Sequence, residues 1–184
     1  MDKTPSAPAT TTTVIDTDES VRRNAEFATG GSFAGLTIRP GGNLRVIGCV
    51  DPRVDPGTVL GLKLGEAAVI RNAGGRVTPA ILRAMAMLGK VGQANGDGSP
   101  PGDLHLVVLH HTDCGMAELA GFPDALAEFF EIPVSGLDAK VVTDPVASVR
   151  VDVDVVKQRR PAGVSVSGLV YDVATGLIEI VVPY

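Results

Sequence analysis

Three short apolar runs rich in β-branched residues most constrain what this chain can fold into: Leu44–Val50 (LRVIGCV), Ala67–Ile70 (AAVI) and Leu104–Leu109 (LHLVVL). Each reads as a buried strand. Helical patterns lie between and around them. Asp18–Gly30 reads as a capped helix ending at a glycine pair. Thr78 as N-cap and Pro79 at the first helical position open a second helix, TPAILRAMAML. Asp124–Glu131 and Pro145–Arg160 read as two more. Val164–Asp172 and Leu177–Val182 read as strands joined by a hairpin turn at Ala174–Thr175–Gly176. Strands alternating with helices, then a hairpin, predict an α/β fold. Its central sheet is mostly parallel, flanked by helices, with an antiparallel strand at one edge.

The 184 residues suit one domain with a sizeable core. The opening MDKTPSAPATTTTVID is polar and rich in Thr and Pro, so residues 1–17 are expected to form a disordered leader and residues 18–184 the single domain. No apolar stretch has signal-peptide character or approaches the ~20 residues of a membrane span, and a cytoplasmic protein is expected. In a reducing compartment the two cysteines are not expected to form a structural disulfide. A net charge of −5 argues against nucleic acid or an anionic membrane as the main partner. Lys157, Arg159 and Arg160, the one short basic run, read as the solvated end of a helix. Gly92–Asp103 reads as a flexible loop rather than a linker between domains.

In an open parallel sheet, ligands bind beyond the carboxyl ends of the strands. Those ends carry the unusual residues of this chain. The first run leads into Cys49, Asp51 and Arg53, the second into the turn Arg71–Gly75, and the third into His110, His111 and Cys114. Both cysteines and two of the three histidines thus fall at one predicted edge. Two thiolates and an imidazole suit Zn²⁺, and three protein ligands leave the fourth tetrahedral position for water or substrate. Two other readings of these residues stand beside that one: two buried thiols with a satisfied core histidine, and a Cys–His nucleophile pair.

His110 and His111 face opposite ways along a strand, so one of them joins Cys114. His111, three residues from Cys114 across a turn, is the better placed. His110 and His105 then read as hydrogen-bonded structural residues. Asp51 and Arg53 flank Pro52. As a surface ion pair they are worth at most ~1 kcal/mol. Beside a metal, the carboxylate can ligate the ion or accept a hydrogen bond from a bound hydroxide, and the arginine can hold it off the ion.

Cys49-Val-Asp51-Pro-Arg53 followed by His111-Thr-Asp-Cys114 resembles the Cys–x–Asp–x–Arg and His–x–x–Cys signature of the β-class carbonic anhydrases. GLKLGEAAVIRNAGG (61–75), VLHHTDCGM (108–116) and GLVYDVATGLIE (168–179) are similar to the short prokaryotic branch of that family. The resemblance spans residues 18–182. It implies about four parallel strands plus an antiparallel strand, and one Zn²⁺ per chain held by Cys49, His111 and Cys114. Asp51 is either a fourth ligand in a closed form or paired with Arg53 in an open one. It further implies reversible hydration of carbon dioxide to bicarbonate and a proton by zinc-bound hydroxide, and assembly into homodimers or tetramers. The same metal set implies two alternatives: hydrolysis of carbonyl sulfide or carbon disulfide, and a non-catalytic zinc or bicarbonate-binding protein. Pro52 stands where the family more often has a small residue, and it biases Asp51 toward extended geometry. The glutamine and aromatics of the plant-like pocket are not found. Apolar side chains and the Arg71–Gly75 loop are expected to contact substrate instead.

Overall fold

The computed structural model describes residues 15–95, 104–160 and 163–184. Of the expected leader, residues 1–14 lie outside these, as do residues 96–103 of the expected loop. The chain divides into two compact units, one ending at Leu36 and one running from Thr37 to Tyr184. The first carries α1 (Thr17–Thr29), started by the Asp16 side chain, which accepts from the Glu19 amide. Arg22 and Arg23 both pair with Glu19 on its surface.

The second unit is built on one five-stranded sheet. Its strands are β1 (Leu44–Cys49), β2 (Ala67–Asn72), β3 (Leu104–His111), β4 (Val164–Tyr171) and β5 (Ile178–Val182). They lie in the order β2-β1-β3-β4-β5. The first four run parallel, and β5 returns antiparallel to β4. The sheet is therefore the mostly parallel one with an antiparallel edge that the sequence pattern predicts. Two strands outrun their apolar cores. Arg71 and Asn72 continue β2 opposite Gly48 and Cys49, and His110 and His111 continue β3 opposite Val170 and Tyr171. Backbone pairing carries a strand on past the point where hydropathy stops marking it.

Alternation along the strands sends side chains to two faces. Ile47, Leu106, Val108 and Val166 pack against α3 (Pro79–Ala94) and α5 (Pro145–Arg159), with Ile81, Val149, Val153 and Val156 as the facing contacts. Val46, Val107 and Leu109 pack the other way, under Val54, Leu60 and the short α2 (Pro56–Val59). Beyond β3, α4 (Pro123–Phe130) buries Leu126 and Phe130 against Met116. Among the described residues, no helix is long and apolar enough to cross a membrane.

A charged group sits inside the first of these layers. Arg76, after β2, and Asp152, on α5, are both buried and bond through Nε and Oδ2 at 2.7 Å. Asp152 Oδ2 also accepts from the Val77 amide at 3.0 Å and lies 3.3 Å from His110 Nε2. Arg76 donates to the Lys140 carbonyl and lies over the Phe130 ring. His110 Nδ1 meets Ser148 Oγ at 2.8 Å. His105 bridges Ser165 and Ser167 on β4 through its two ring nitrogens, and its burial lowers its pKa. Both histidines are thus the hydrogen-bonded structural residues expected of them.

Candidate metal centre

Because β1 and β3 are parallel neighbours, their carboxyl ends emerge side by side and bring Cys49 next to the segment after His111. Cys49 Sγ and Cys114 Sγ are 4.0 Å apart, too far for a disulfide, and both cysteines are free. The donor atoms of Cys49, His111 and Cys114 all lie within 4.8 Å of one another. A tetrahedral zinc with Zn–S bonds of about 2.3 Å separates its sulfurs by about 3.8 Å, so the observed spacing suits a shared ion. His111 Nδ1 lies 2.8 Å from the Thr112 carbonyl. That contact places the ring proton on Nδ1 and leaves the Nε2 lone pair facing the thiols. His111 Nε2 is buried and has no hydrogen-bond partner. An orphaned imidazole nitrogen beside two thiols is a borderline-soft donor set; the residues fit zinc.

The two thiols are within hydrogen-bond reach of each other and titrate together. The contact with Cys114 is the main influence on Cys49, holding it well below the ordinary thiol range despite its burial, with His111 and the Asp51 amide helping. The same bond, and burial, push Cys114 up. Burial works against a charged His111, but the Cys49 thiolate and the Thr112 carbonyl outweigh it and raise its pKa.

Asp51 sits on the loop after β1 with both carboxylate oxygens taken up by Arg53. Oδ1 accepts from Arg53 Nε at 3.1 Å and from its amide at 2.9 Å, and Oδ2 accepts from Nη2 at 2.8 Å. These bonds hold the Asp51 carboxyl at about 2. Its Oδ2 lies 3.9 Å from His111 Nε2. The loop closes as a turn, the Val54 amide donating to the Asp51 carbonyl at 3.1 Å, with Pro52 at its second position. That position favours the fixed φ of proline, so Pro52 stiffens the loop in this paired arrangement.

Sequence reasoning missed two residues of this neighbourhood. Arg71, expected with its loop to contact substrate, has a role in bracing the loop after β1 that the sequence did not suggest. It donates to the carbonyls of Cys49 at 2.7 Å and Asp51 at 2.8 Å, and to the Asp55 carboxylate at 3.1 Å. Asp113, in left-handed backbone with φ 51°, accepts from Arg53 Nη1 at 2.6 Å, while its carbonyl accepts from Nη2 at 2.8 Å. Arg53 is therefore clamped between Asp51 and Asp113. An Asp inside the His–x–x–Cys turn, a residue type that tolerates left-handed backbone, was the available signal for the second of these.

Gly74 and Gly75 carry the turn after β2 into the same corner. Gly75 has φ +64°, and a Cβ there would come within 2.8 Å of the Leu109 carbonyl and 3.0 Å of the Cys49 amide. Gly75→Ala is expected to cost about 2–4 kcal/mol, from left-handed strain plus overpacking against backbone. It would also push Cys49 away from His111, so both melting temperature and zinc content should fall. A variant retaining full stability and metal would show that the corner is not so tightly packed. Gly74, His111, Asp113, Cys114 and Met116 line a cavity of about 190 Å³, several times the ~30 Å³ share of one water.

Comparison with known proteins gives one consistent picture. The carbonic anhydrase family model matches residues 44–131. β-Carbonic anhydrase 1 of Mycobacterium tuberculosis is 34% identical over 176 residues, covering 91% of this chain and 98% of the relative. A carbon disulfide hydrolase of Saccharolobus solfataricus is 31% identical over 114 residues, 61% of this chain and 48% of that protein. Among solved structures, the carbonic anhydrase of Streptococcus mutans superposes with a TM-score of 0.66 at 30% identity, covering 89% of this chain and 96% of the other. A likeness that runs almost end to end, over a sheet bearing two thiols and an imidazole at one corner, shows that the chain belongs to the β-carbonic anhydrase family.

Proposed function

We propose that the protein catalyses the reversible hydration of carbon dioxide to bicarbonate and a proton, with one Zn²⁺ held by Cys49, His111 and Cys114. The observation that carries this reading is the buried, unpartnered His111 Nε2 facing two thiols 4.0 Å apart. Zinc held by two thiolates supplies a Lewis acid weaker than one held by three imidazoles, and so activates water somewhat above pH ~7. The chain's own residues do the rest. Arg53, clamped by Asp113, keeps the Asp51 carboxylate turned aside and ionised. Asp51 is then placed to accept from and orient the attacking water, and would not compete for the metal as a fourth ligand. Gly74 and Met116 wall the small cavity in which a linear, uncharged substrate would rest.

Stopped-flow carbon dioxide hydration on protein of known zinc content tests the proposal. Activity is expected to rise between pH 7 and pH 9. A flat or falling profile would retire the account of the metal's acidity. The carbon disulfide hydrolase likeness supports a second reading, and assaying carbon disulfide and carbonyl sulfide on the same preparation separates the two. Sulfide release far exceeding carbon dioxide turnover would favour the hydrolase. Both edges of the sheet carry exposed apolar side chains, Val69 on β2 and Ile180 on β5. Edges of this kind suit self-association into a dimer or tetramer, which sedimentation velocity reads directly.

A further inference from the structure

A second cavity, of about 490 Å³, opens at the other end of the sheet, where β1, β3 and β4 begin and α3 and α5 end. That volume lies in the range of about 300–1,000 Å³ typical of small-molecule sites. Its floor is aliphatic: Ile47, Leu82, Met85, Leu106, Val156 and Val164. Its polar lining includes Arg39, Arg45, Lys90, Arg159 and Arg160. No acidic and no aromatic residue is among the described residues that line it. In a chain of net charge −5, Arg45, Lys90, Arg159 and Arg160 around one cavity, with no carboxylate among its described lining residues, make a concentrated positive field.

Part of that charge has local work to do. Lys90 reaches Gln93 near the end of α3, Arg160 Nη1 donates to the Val164 carbonyl, and Arg159 complements the negative end of α5. Arg45 has no such task. It stands on β1, half-buried, with no hydrogen-bond or ion-pair partner among the described residues, and burial alone lowers its pKa. A partly desolvated guanidinium facing an open cavity is costly unless an anion completes it.

We propose that this cavity binds an amphipathic anion: an alkyl chain of medium length on the aliphatic floor, its carboxylate or phosphate head paired with Arg45. Aliphatic walls without a ring to stack on suit a flexible chain better than a flat heterocycle. The site lies apart from the thiols and stands whether or not the protein hydrates carbon dioxide.

Calorimetric titration of the zinc-loaded full chain with octanoate, octyl phosphate and 1-octanol tests it. Saturable binding of one anion per chain is expected, with 1-octanol roughly tenfold weaker or worse, because the head group's charge-assisted bonds are lost. Whichever of octanoate and octyl phosphate binds more tightly identifies the head group. Arg45→Met, which keeps the apolar stem, should weaken the anion to the level of the alcohol. Arg159→Met, at the exposed helix end, should weaken it less and guards against a folding defect in the first variant; circular dichroism and zinc content monitor both. Methyl NMR locates the ligand: the Met85 resonance should move and that of Met116, beside the thiols, should not. Equal binding of the alcohol, no saturable binding of either anion, or a shift confined to Met116 would overturn the proposal.

Discussion

Cys49→Ser is expected to strip the protein of zinc and to reduce carbon dioxide hydration to the uncatalysed background. Cys49 is buried at the end of β1, while His111 and Cys114 sit together on β3 and its following turn. Serine keeps the size but offers a hydroxyl that stays protonated near neutrality, leaving two donors for the ion. Loss of outer partners of a metal site already costs 10–100-fold in affinity, so loss of a ligand should cost more than ~100-fold. Metal content after gel filtration against a chelator reads this directly, and the sulfur-to-metal absorption of cobalt-loaded protein gives a second measure. The metal must displace the proton held by the thiol pair, so affinity is expected to rise with pH in the parent protein. Full zinc occupancy in Cys49→Ser would disprove the ligand assignment.

Asp152→Ala should be the most destabilising single change away from the thiols, by about 3–5 kcal/mol, because it leaves the Arg76 guanidinium buried without its counter-charge. The Val77 amide loses a partner as well. Arg76→Met combined with Asp152→Leu should recover most of the loss, since removing both charges removes the desolvation cost with them. The pair also sets a pH dependence. Burial opposes the Asp152 carboxylate, but His110 and Arg76 overcome it and hold the group at about 2, below its ordinary 3.8. A depressed acid stabilises the fold above its unfolded pKa and loses that contribution as pH falls toward the folded value. The parent, stripped of metal, should therefore lose on the order of 2 kcal/mol between pH 4 and pH 2 through this group. Urea denaturation of chelator-treated protein across that range should show a steeper fall for the parent than for the double variant. An Asp152→Ala variant within ~1 kcal/mol of the parent would mean that water reaches Arg76.

How much of this was legible in the residues depends on distance along the chain. The β-branched runs marked β1, β2 and β3: β1 and β3, covered on both faces, need apolar side chains throughout, and β2 carries the same residue types at the edge. Their polar carboxyl ends were not marked, and Arg71 was read as turn when it is still strand. The opposite orientations of His110 and His111 followed from strand geometry, and the structure places the first against α5 and the second against the thiols. Contacts between remote segments left no local trace. Nothing at Arg76 announces Asp152, 76 residues later, and nothing at Arg53 announces Asp113, 60 residues later. Both are polar groups satisfied across the fold, which spacing and hydropathy do not encode.

The parallel pairing of β1 with β3 has a consequence for how the molecule acquires its ion during folding. His111 and Cys114 are neighbours in sequence, but Cys49 is separated from Cys114 by 65 positions. Bringing it in closes a long loop, whose entropic cost falls due before any contact repays it. A chain with β3 and its turn formed has two donors and holds metal weakly; tight capture waits until the central ladder has zipped. The rate at which a refolding chain becomes resistant to a chelator is thus a clock for the β1–β3 ladder, while the edge hairpin of β4 and β5 can form earlier or later without changing it.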